Sequence, residues 1–416
     1  MYNKRQSISA IGSSLKHMSP FPHAQLKNFV SDGENVLQGL EDELNTMQWN
    51  RKENDLYTLS QTMDLKSFRA NEAPLLYSFR RFLMSEVRSW LSAATGEVDS
   101  TGSIYTKNDG LLPHSDLIGT RHFAFVYYLT PNDWTEKDGG YLNLYSSNKD
   151  SEPVWIVKSL APTRNSLVIF EVGHSSWHSV AEILSPKFRL SINGWFHSER
   201  IINSPIVKTL QIPRSIPSKA RFDMSTLLSS IYLSDGFLHE ANEFFSEKSE
   251  SQFSDFLEKN VHSSLLSSLP FAVNSLLNDL LSLLSSNSFA EYLSRLTGLE
   301  LKKCEQSLTV TRIEKGSYSV MGDEEVEMSE KQGFFLDVTF FVGGAPWDEN
   351  AGGYIVYAAK DDPEEVVRIV PTANSLTIVL REPEVFSFLK YANSSAGHPF
   401  YVFSLIFHNV PMDDDD

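Results

Sequence analysis

Cysteine is almost absent from the chain, whose 416 residues include only Cys304. A single cysteine can form neither an internal disulfide nor a cysteine-cluster zinc site, and it favours a reducing compartment. The chain also has no run of about 18 apolar residues, the length needed to span a bilayer. Its first residues, MYNKRQSISAIGSSL, lack the apolar core of a secretory signal. We therefore expect a soluble protein of the cytoplasm and nucleus without a membrane partner.

Basic residues are in deficit as well. The 36 lysines and arginines are outnumbered by 53 aspartates and glutamates, which gives a net charge of −17. This balance argues against a direct nucleic-acid groove, because such a surface needs surplus positive charge. It would suit a basic protein substrate.

Core-forming side chains, in contrast, are abundant: 27 Phe, 15 Tyr and 7 Trp belong to a hydrophobic fraction of 41%. A chain of this length is expected to form two domains, with three as the alternative. Residues 21–49 are predicted to be helical, with a helix start at Asp32 or Gly33, and a second helix is predicted from Leu75 to Ala93. The apolar period then changes to two, which predicts the strands His122–Leu129, Tyr141–Tyr145, Val154–Val157, Ser166–Phe170 and Arg189–Phe196. This order predicts a mixed α+β, mainly β fold, a jelly roll with supporting helices.

Composition also suggests where the domains begin and end. Residues 1–20 are predicted to be a flexible tail, and residues 411–416 an acidic tail. The proline-containing segment 201–230 is predicted to be a linker between domains at 21–200 and 231–410. In the second domain, a stripe formed by Leu276, Leu280 and Leu284 is expected to pack within its own domain rather than against a partner.

Several segments occur twice in the same order. PNDWTEKDGGYLNLY at 131–145 is similar to GAPWDENAGGYIVY at 344–357, and PTRNSLVIF at 162–170 is similar to PTANSLTIV at 371–379. WLSAATG at 90–96 and NGWFH at 193–197 have weaker partners, YLSRLTG at 292–298 and SLIFH at 404–408. We interpret the chain as two copies of one helix-plus-jelly-roll unit. Segments that both copies keep, such as Gly-Gly and Pro-Thr-x-Asn-Ser-Leu, are predicted to be turns.

Four reactive residues occur in the first copy alone. Their approximate counterparts in the second copy lack the same chemistry; the pairs are His114 and Val320, Asp116 and Gly322, His178 and Ser387, and Arg189 and Phe400. Features that only one copy keeps are candidates for function, so we expect the site in the first domain and no metal in the second.

His114 and Asp116 are two residues apart, a spacing that places both side chains on one face of an extended strand. Alone, this pair could equally be a structural ion pair. Together with His178, the pair would supply two histidines and one carboxylate to one face of an octahedral metal site, an arrangement that suits non-haem Fe(II). A helical zinc pair of His174 and His178 is disfavoured, because Gly and Ser surround them.

Arg189 lies eleven residues after His178 in the alternating segment RLSINGWF. Arg189 and Ser191 are therefore expected to point to the same side of a strand. An arginine so placed could clamp a carboxylate through two parallel hydrogen bonds.

The motif H-x-D, a distal histidine and a following arginine resembles that of the Fe(II)- and 2-oxoglutarate-dependent oxygenases. The segments PFPHAQLKNFV, FAFVYYLTP, GGYLNLYSS and RLSINGWFH resemble one branch in particular, the eukaryotic ribosomal prolyl hydroxylases. That resemblance implies two tandem double-stranded β-helix domains, the first catalytic and the second degenerate. It implies that His114, Asp116 and His178 bind iron and that Arg189 holds 2-oxoglutarate. It further implies that Tyr105 and Tyr128 line the same pocket, where Ser191 would also lie.

The resemblance also implies a reaction: O2 and 2-oxoglutarate become CO2 and succinate while a proline is hydroxylated at C3, with ascorbate supporting activity. The implied substrate is a basic decoding-centre protein of the small ribosomal subunit. Two alternatives stay open at this point. One is an oxygen-responsive regulatory binding protein that sequesters or destabilises a transcription regulator as its partner, and the other is a hydroxylase for a different target.

Overall fold

The computed structural model describes residues 18–31, 33–91, 96–199, 212–269, 275–321, 333–360 and 365–412. The chain divides into two compact units, Met1–Val207 and Lys208–Asp416. Most of the predicted tails and residues 201–211 of the predicted linker lie outside the described residues. Within those ranges, no helix has the length and apolar character required to cross a bilayer.

The first unit is built on one eleven-stranded sheet. Its strands are β1 His23–Lys27, β2 Asn50–Glu53, β3 Tyr57–Gln61, β4 Val98–Tyr105, β5 Gly110–His114, β6 Arg121–Tyr128, β7 Leu142–Ser147, β8 Pro153–Leu160, β9 Ser166–Glu171, β10 His178–Val180 and β11 Arg189–His197. The order is β1-β9-β6-β11-β4-β3-β5-β10-β7-β8, with β2 paired to β3. Side chains connect the two ends of this order: Lys158 Nζ donates to His23 Nε2 at 2.9 Å, and Gln25 Nε2 donates to the carbonyl of Ala161 at 2.8 Å. The sheet is therefore nearly closed into a barrel.

Helices cover one face of this sheet. They are α1 Gly33–Asn45, α2 Pro74–Phe82 and α3 Arg88–Trp90, with a π-helical turn at Leu83–Val87 joining the last two. The leucines at 37, 40 and 44 of α1 are fully buried, because their spacing places them on one side of the helix. Both predicted helices are confirmed, and α1 begins at Gly33.

The prediction of a helix from residue 21 is wrong at its start. Residues His23–Lys27 form β1, which pairs antiparallel with β9 so that His23 faces Phe170. The five predicted strands are confirmed as β6, β7, β8, β9 and β11, with ends that differ by a few residues. The short strand β10 and strands β2 to β5 were not predicted.

The second unit has two smaller sheets. Its strands are β12 Glu250–Phe253, β13 Glu305–Ile313, β14 Phe334–Val342, β15 Ile355–Ala359, β16 Glu365–Ile369, β17 Ser375–Arg381, β18 Val385–Leu389 and β19 Phe400–Val410. Their orders are β12-β17-β14-β19-β13 and β16-β15-β18. The helices are α4 Asp235–Lys248, α5 Lys259–Ser268, α6 Ser275–Leu284 and α7 Asn287–Thr297. The leucine stripe of α6 packs into the core of this unit, as predicted.

The larger sheet of the second unit repeats the order β1-β9-β6-β11-β4 strand for strand. The predicted turns recur with the same backbone: Gly139 and Gly352 have φ of 73° and 69°, and Asn165 and Asn374 both have φ of 55°. In each copy a tryptophan five residues earlier donates its Nε1 hydrogen to the first glycine's carbonyl, at 3.0 Å and 2.6 Å. The segments kept in both copies are thus turns of the fold.

One buried histidine makes the second unit sensitive to acid. His408 Nε2 lies 2.9 Å from Ser307 Oγ, while its Nδ1 has no hydrogen-bond partner among the described residues. Burial, together with the nearby charge of Arg214, lowers the pKa of His408 to about 4. An unfolded histidine titrates near pH 6.5, so the unfolded chain binds more protons between these values and stability falls as the pH falls through them.

We expect His408→Asn to weaken this dependence. The midpoints of chemical unfolding at pH 7 and pH 5 should lie closer together in the variant than in the wild type. An equal separation in both proteins would show that His408 does not carry the effect.

Candidate metal centre

Two histidines meet where strands β5 and β10 pair. His114 is the last residue of β5 and His178 is the first of β10, and the register places them directly opposite each other. Their ring centroids are 4.1 Å apart. The Asp116 carboxylate lies between the rings, with Oδ1 at 3.5 Å from His114 Nε2 and Oδ2 at 3.3 Å from His178 Nε2. One ligand atom from each residue lies within 4.8 Å of the others, a spacing that can hold one metal ion.

The geometry of Asp116 differs from the extended strand that was predicted. The strand ends at His114, and Asp116 has a left-handed φ of 60°. Aspartate is one of the few residues that adopt this conformation at low cost. The turn brings the carboxylate back towards the histidines, whereas a continued strand would carry it about 6.6 Å along the strand axis.

Backbone carbonyls fix the orientation of both imidazoles. His114 Nδ1 lies 2.9 Å from the carbonyl of Leu112, and His178 Nδ1 lies 2.8 Å from that of Ser176. A carbonyl only accepts, so each Nδ1 carries a hydrogen and each Nε2 faces Asp116. This is how metal-binding histidines are usually held.

The charges of the three groups are strongly linked. Burial opposes the charge of Asp116, but the interactions with the neighbouring imidazoles of His114 and His178 outweigh it and hold the pKa of its carboxyl well below the usual range. Burial likewise disfavours the charged His114, yet the hydrogen bond to Asp116 raises its pKa. Burial and the neighbouring charge of His114 lower the pKa of His178. Because a histidine must be deprotonated to bind a metal, binding of a cation here would favour the neutral form of His114.

Arg189 lies buried on β11, in the same barrel. Its Nε donates to the carbonyl of Gly140 at 2.8 Å, and its Nη2 donates to the Tyr128 hydroxyl at 3.2 Å. The guanidinium carbon is 5.0 Å from the ring centre of Tyr128 and 5.0 Å from that of Tyr105. Burial raises the pKa of Tyr105 to about 12 and raises that of Tyr128, so both phenols stay neutral and can donate hydrogen bonds.

Ser191 is the fourth polar residue of this group, which with Arg189, Tyr105 and Tyr128 forms the Arg189 pocket. Its hydroxyl is buried and has no hydrogen-bond partner among the described residues. It points to the same side of β11 as Arg189, and in the sheet it lies opposite Tyr128. An unpaired buried hydroxyl beside a guanidinium and two phenols fits the carboxylate of a small acid.

Some residues near the metal centre were not predicted. Arg121 Nη1 lies 3.8 Å from Asp116 Oδ1, and its guanidinium stacks on Trp195 at 3.5 Å from the ring centre. No sequence pattern indicated this contact, because it depends on the turn at Asp116. His174 is exposed and non-helical, so the zinc pair with His178 does not form.

The register also locates the corresponding positions in the second unit. In the first unit Tyr128 pairs with Ser166 and Ser191, and in the second unit Phe341 pairs with Ser375 and Val402. Tyr128 therefore corresponds to Phe341, and Ser191 to Val402. By the same argument Arg189 corresponds to Phe400, Tyr105 to Ile313 and His178 to Ser387. Four of these residues, Ile313, Phe341, Phe400 and Val402, form an apolar cluster. Of the predicted counterparts, Ser387 and Phe400 are therefore confirmed, and Gly322 lies outside the described residues.

Comparison with known proteins gives two family matches. Residues 100–197 match the 2OG-Fe(II) oxygenase superfamily, and residues 271–416 match the family described as oxoglutarate and iron-dependent oxygenase degradation C-term. The chain is 31% identical to the prolyl 3-hydroxylase OGFOD1 of Xenopus laevis, an alignment that covers 92% of this chain and 85% of that protein.

Two further relatives have similar coverage. Identity to the prolyl 3-hydroxylase OGFOD1 of Mus musculus is 28%, over 90% of this chain and 85% of the relative. Identity to the prolyl 3-hydroxylase sudestada1 of Drosophila melanogaster is also 28%, over 83% of this chain and 75% of the relative. The first family match spans the whole arrangement from Tyr105 to Ser191.

Proposed function

The chain belongs to the prolyl 3-hydroxylase family of Fe(II)- and 2-oxoglutarate-dependent dioxygenases, and we propose that it hydroxylates C3 of a prolyl residue in a protein substrate. The observation that carries the proposal is the placement of His114, Asp116 and His178 in the same barrel as the buried Arg189. Two imidazoles and one carboxylate on one side of a metal leave its remaining positions open for a co-substrate and O2.

Each residue then has a role. His114, Asp116 and His178 hold Fe(II) through two Nε2 atoms and a carboxylate oxygen. Arg189, with Tyr105, Tyr128 and Ser191, binds and orients the distal carboxylate of 2-oxoglutarate. When bound, Fe(II) would allow O2 to act as the oxidant: 2-oxoglutarate supplies two electrons as it is converted to succinate and CO2, one oxygen atom enters succinate, and the other converts a C–H bond into C–OH. The barrel positions these groups and excludes water.

The second unit is proposed to be a degenerate copy, so that the chain has two tandem double-stranded β-helix domains at 21–200 and 231–410. The repeated strand order and the paired glycine and asparagine turns support this. The apolar cluster at the positions equivalent to Arg189 and its neighbours supports a second domain that binds neither metal nor 2-oxoglutarate.

The substrate is proposed to be the basic decoding-centre protein of the small ribosomal subunit, encountered in the cytoplasm and nucleus. The net charge of −17 supports a basic partner. The relatives named prolyl 3-hydroxylase support the reaction at C3. Ascorbate is proposed to sustain activity by keeping the iron reduced.

The test is succinate production from 2-oxoglutarate with Fe(II) and ascorbate, measured with and without a peptide from that ribosomal protein. We expect peptide-stimulated turnover, and a gain of one oxygen on proline by mass spectrometry. Turnover of 2-oxoglutarate without a modified peptide would contradict the proposed substrate but not the proposed oxygenase activity. Absence of turnover from an iron-loaded protein would contradict the enzymatic proposal.

A second candidate function rests on the match of residues 271–416 to a family whose description includes degradation. In this reading the output is binding and destabilisation of a regulatory protein, with the iron site setting the conformation. Partner binding that survives removal of the Asp116 carboxylate would favour it. Binding that is lost together with turnover would favour the hydroxylase alone.

A further inference from the structure

Strand β8 is the last strand in the order of the first sheet. One side of it pairs with β7, and no strand pairs with the other side among the described residues. Such an edge presents free backbone N–H and C=O groups that can pair with another strand. Near its end β8 is covered, because Lys158 and Ala161 bond to His23 and Gln25 of β1. The free part is therefore residues 153–157.

This free part is also apolar. Val154, Trp155, Ile156 and Val157 are 41%, 73%, 52% and 49% exposed. Neighbouring residues on a strand point to opposite faces, so both faces of the edge carry exposed apolar side chains. None of these residues takes part in the metal centre or the Arg189 pocket. Monomeric proteins rarely expose contiguous apolar surface, so a patch of this kind usually marks an interface.

The second unit offers an internal comparison. Its strand β16 pairs with β15 at the end of the smaller sheet, just as β8 pairs with β7. This edge is shorter and carries charges: Arg368 contacts Glu365 at 2.7 Å and Glu349 at 2.8 Å. Charged residues on an edge strand prevent pairing with another chain. The edge is protected in one copy and unprotected in the other, which indicates that β8 has a partner.

We propose that two copies of this chain pair through β8, with the two strands antiparallel about a two-fold axis. The partner must present an edge that is apolar on both faces, and β8 of a second copy has this property. No charged residue interrupts the strand between Glu152 and Lys158. Antiparallel self-pairing centred on Trp155 places Glu152 of each copy opposite Lys158 of the other. The Lys158 ammonium, which donates one hydrogen bond to His23, has two further donors for this carboxylate, so opposite charges meet at both ends of the paired segment. A two-fold interface of this type is the commonest in homo-oligomers.

Five paired residues and their flanking side chains make a small interface. Specific interfaces usually bury about 1,200–2,000 Å² in total, and this one would lie at or below the lower end. The net charge of −17 also repels a second copy over longer distances. We therefore expect a reversible dimer that forms in the micromolar range and strengthens with added salt.

Sedimentation velocity from about 1 to 100 μM tests the proposal, a range that brackets micromolar affinity. We expect the wild type to dimerise, and Ile156→Lys to weaken dimerisation at least about tenfold, since a charge would be desolvated at the interface. Val366→Lys is the matched control: Val366 is 58% exposed on β16, the equivalent edge of the second unit. It should leave the dimer unchanged. Melting temperature and succinate formation should be unaffected in both variants.

A monomeric wild type throughout this range would overturn the proposal and leave the edge to a different protein. A dimer that Ile156→Lys does not weaken would overturn it too. Disulfide cross-linking tests the register. The only native cysteine, Cys304, is buried, so a cysteine introduced at the edge would be the reactive one. Trp155→Cys should form a disulfide between copies under mild oxidation, and Val366→Cys should not. A dimer dissociated by Ile156→Lys but never linked by Trp155→Cys would overturn the antiparallel self-pairing.

Discussion

Asp116→Gly is expected to abolish metal-dependent turnover of 2-oxoglutarate while the protein stays folded. The carboxylate is the one anionic ligand in the group, and it lies within 3.5 Å of both imidazoles. Disturbing the outer partner of a metal ligand alone can cost about 10- to 100-fold in affinity, so loss of the ligand itself should cost more than about 100-fold. Titration with Mn(II), followed by electron paramagnetic resonance, measures this without requiring activity.

Glycine is the appropriate replacement because Asp116 has a φ of 60°. Alanine in this conformation would add roughly 1–2 kcal/mol of backbone strain and confuse a lost ligand with a weakened fold. Removal of the carboxylate also removes the hydrogen bond that raises the pKa of His114, so the buried imidazole is left in an environment that favours its neutral form. The matched control is Ser387→Ala, at the position in the second unit that corresponds to His178; it should leave metal binding and turnover unchanged. Tight Mn(II) binding by Asp116→Gly would refute the ligand assignment.

Arg189→Leu is expected to raise the KM for 2-oxoglutarate by about 100-fold or more, since one hydrogen bond to a charged group is worth about 1.5–3 kcal/mol and the guanidinium can make two. Arg189→Lys keeps the charge but loses the planar fork, and it should give a smaller increase. Affinity for Mn(II) should change little in either variant, because Arg189 is not in the metal-binding group. Steady-state kinetics at saturating Fe(II) measures the difference.

Arg189→Leu and Arg189→Lys should also lower the free energy of unfolding. The carbonyl of Gly140 and the hydroxyl of Tyr128 would lose the donors that they now have, at a cost of about 1–3 kcal/mol for each buried group left unpaired. Phe400→Leu, at the equivalent position of the second unit, is the control for a change of packing. A KM that stays constant while only the melting temperature falls would mean that Arg189 is structural.

Five of the eleven strands of the first unit, β6, β7, β8, β9 and β11, could be predicted because their apolar residues alternate. The prediction fails for β1, whose residues His23–Lys27 have no strong alternation and form a strand because β9 pairs with them. The three-residue strand β10 is too short for any period to appear. Both failures have one cause, since long-range pairing overrides a weak local pattern.

The site shows the same division. The residue types and spacing of His114, Asp116, His178 and Arg189 indicated a metal centre with an anion pocket, and the fold brings the first three together. The local geometry could not be predicted, because the left-handed turn at Asp116 breaks the strand on which the expectation rested. The approach of Arg121 to Asp116 depends on that turn, and its stacking on Trp195 depends on the pairing of β6 with β11, so neither contact has a signal of its own in the sequence.

The line where β1 and β8 meet has a consequence for how the barrel opens. Elsewhere, separating two strands breaks a ladder of backbone hydrogen bonds, but here, within the part of the chain that the structure describes, only the side-chain bonds of His23 and Gln25 join the two strands. Each contributes about 1 kcal/mol, so local unzipping costs least along this line. Phe21 lies beside it and contacts Phe170, whose ring is 4.5 Å from that of His178. The strand boundary of the barrel that opens at the lowest cost is therefore separated from a metal ligand by one aromatic ring, that of Phe170. Local opening at this boundary would change the packing around His178.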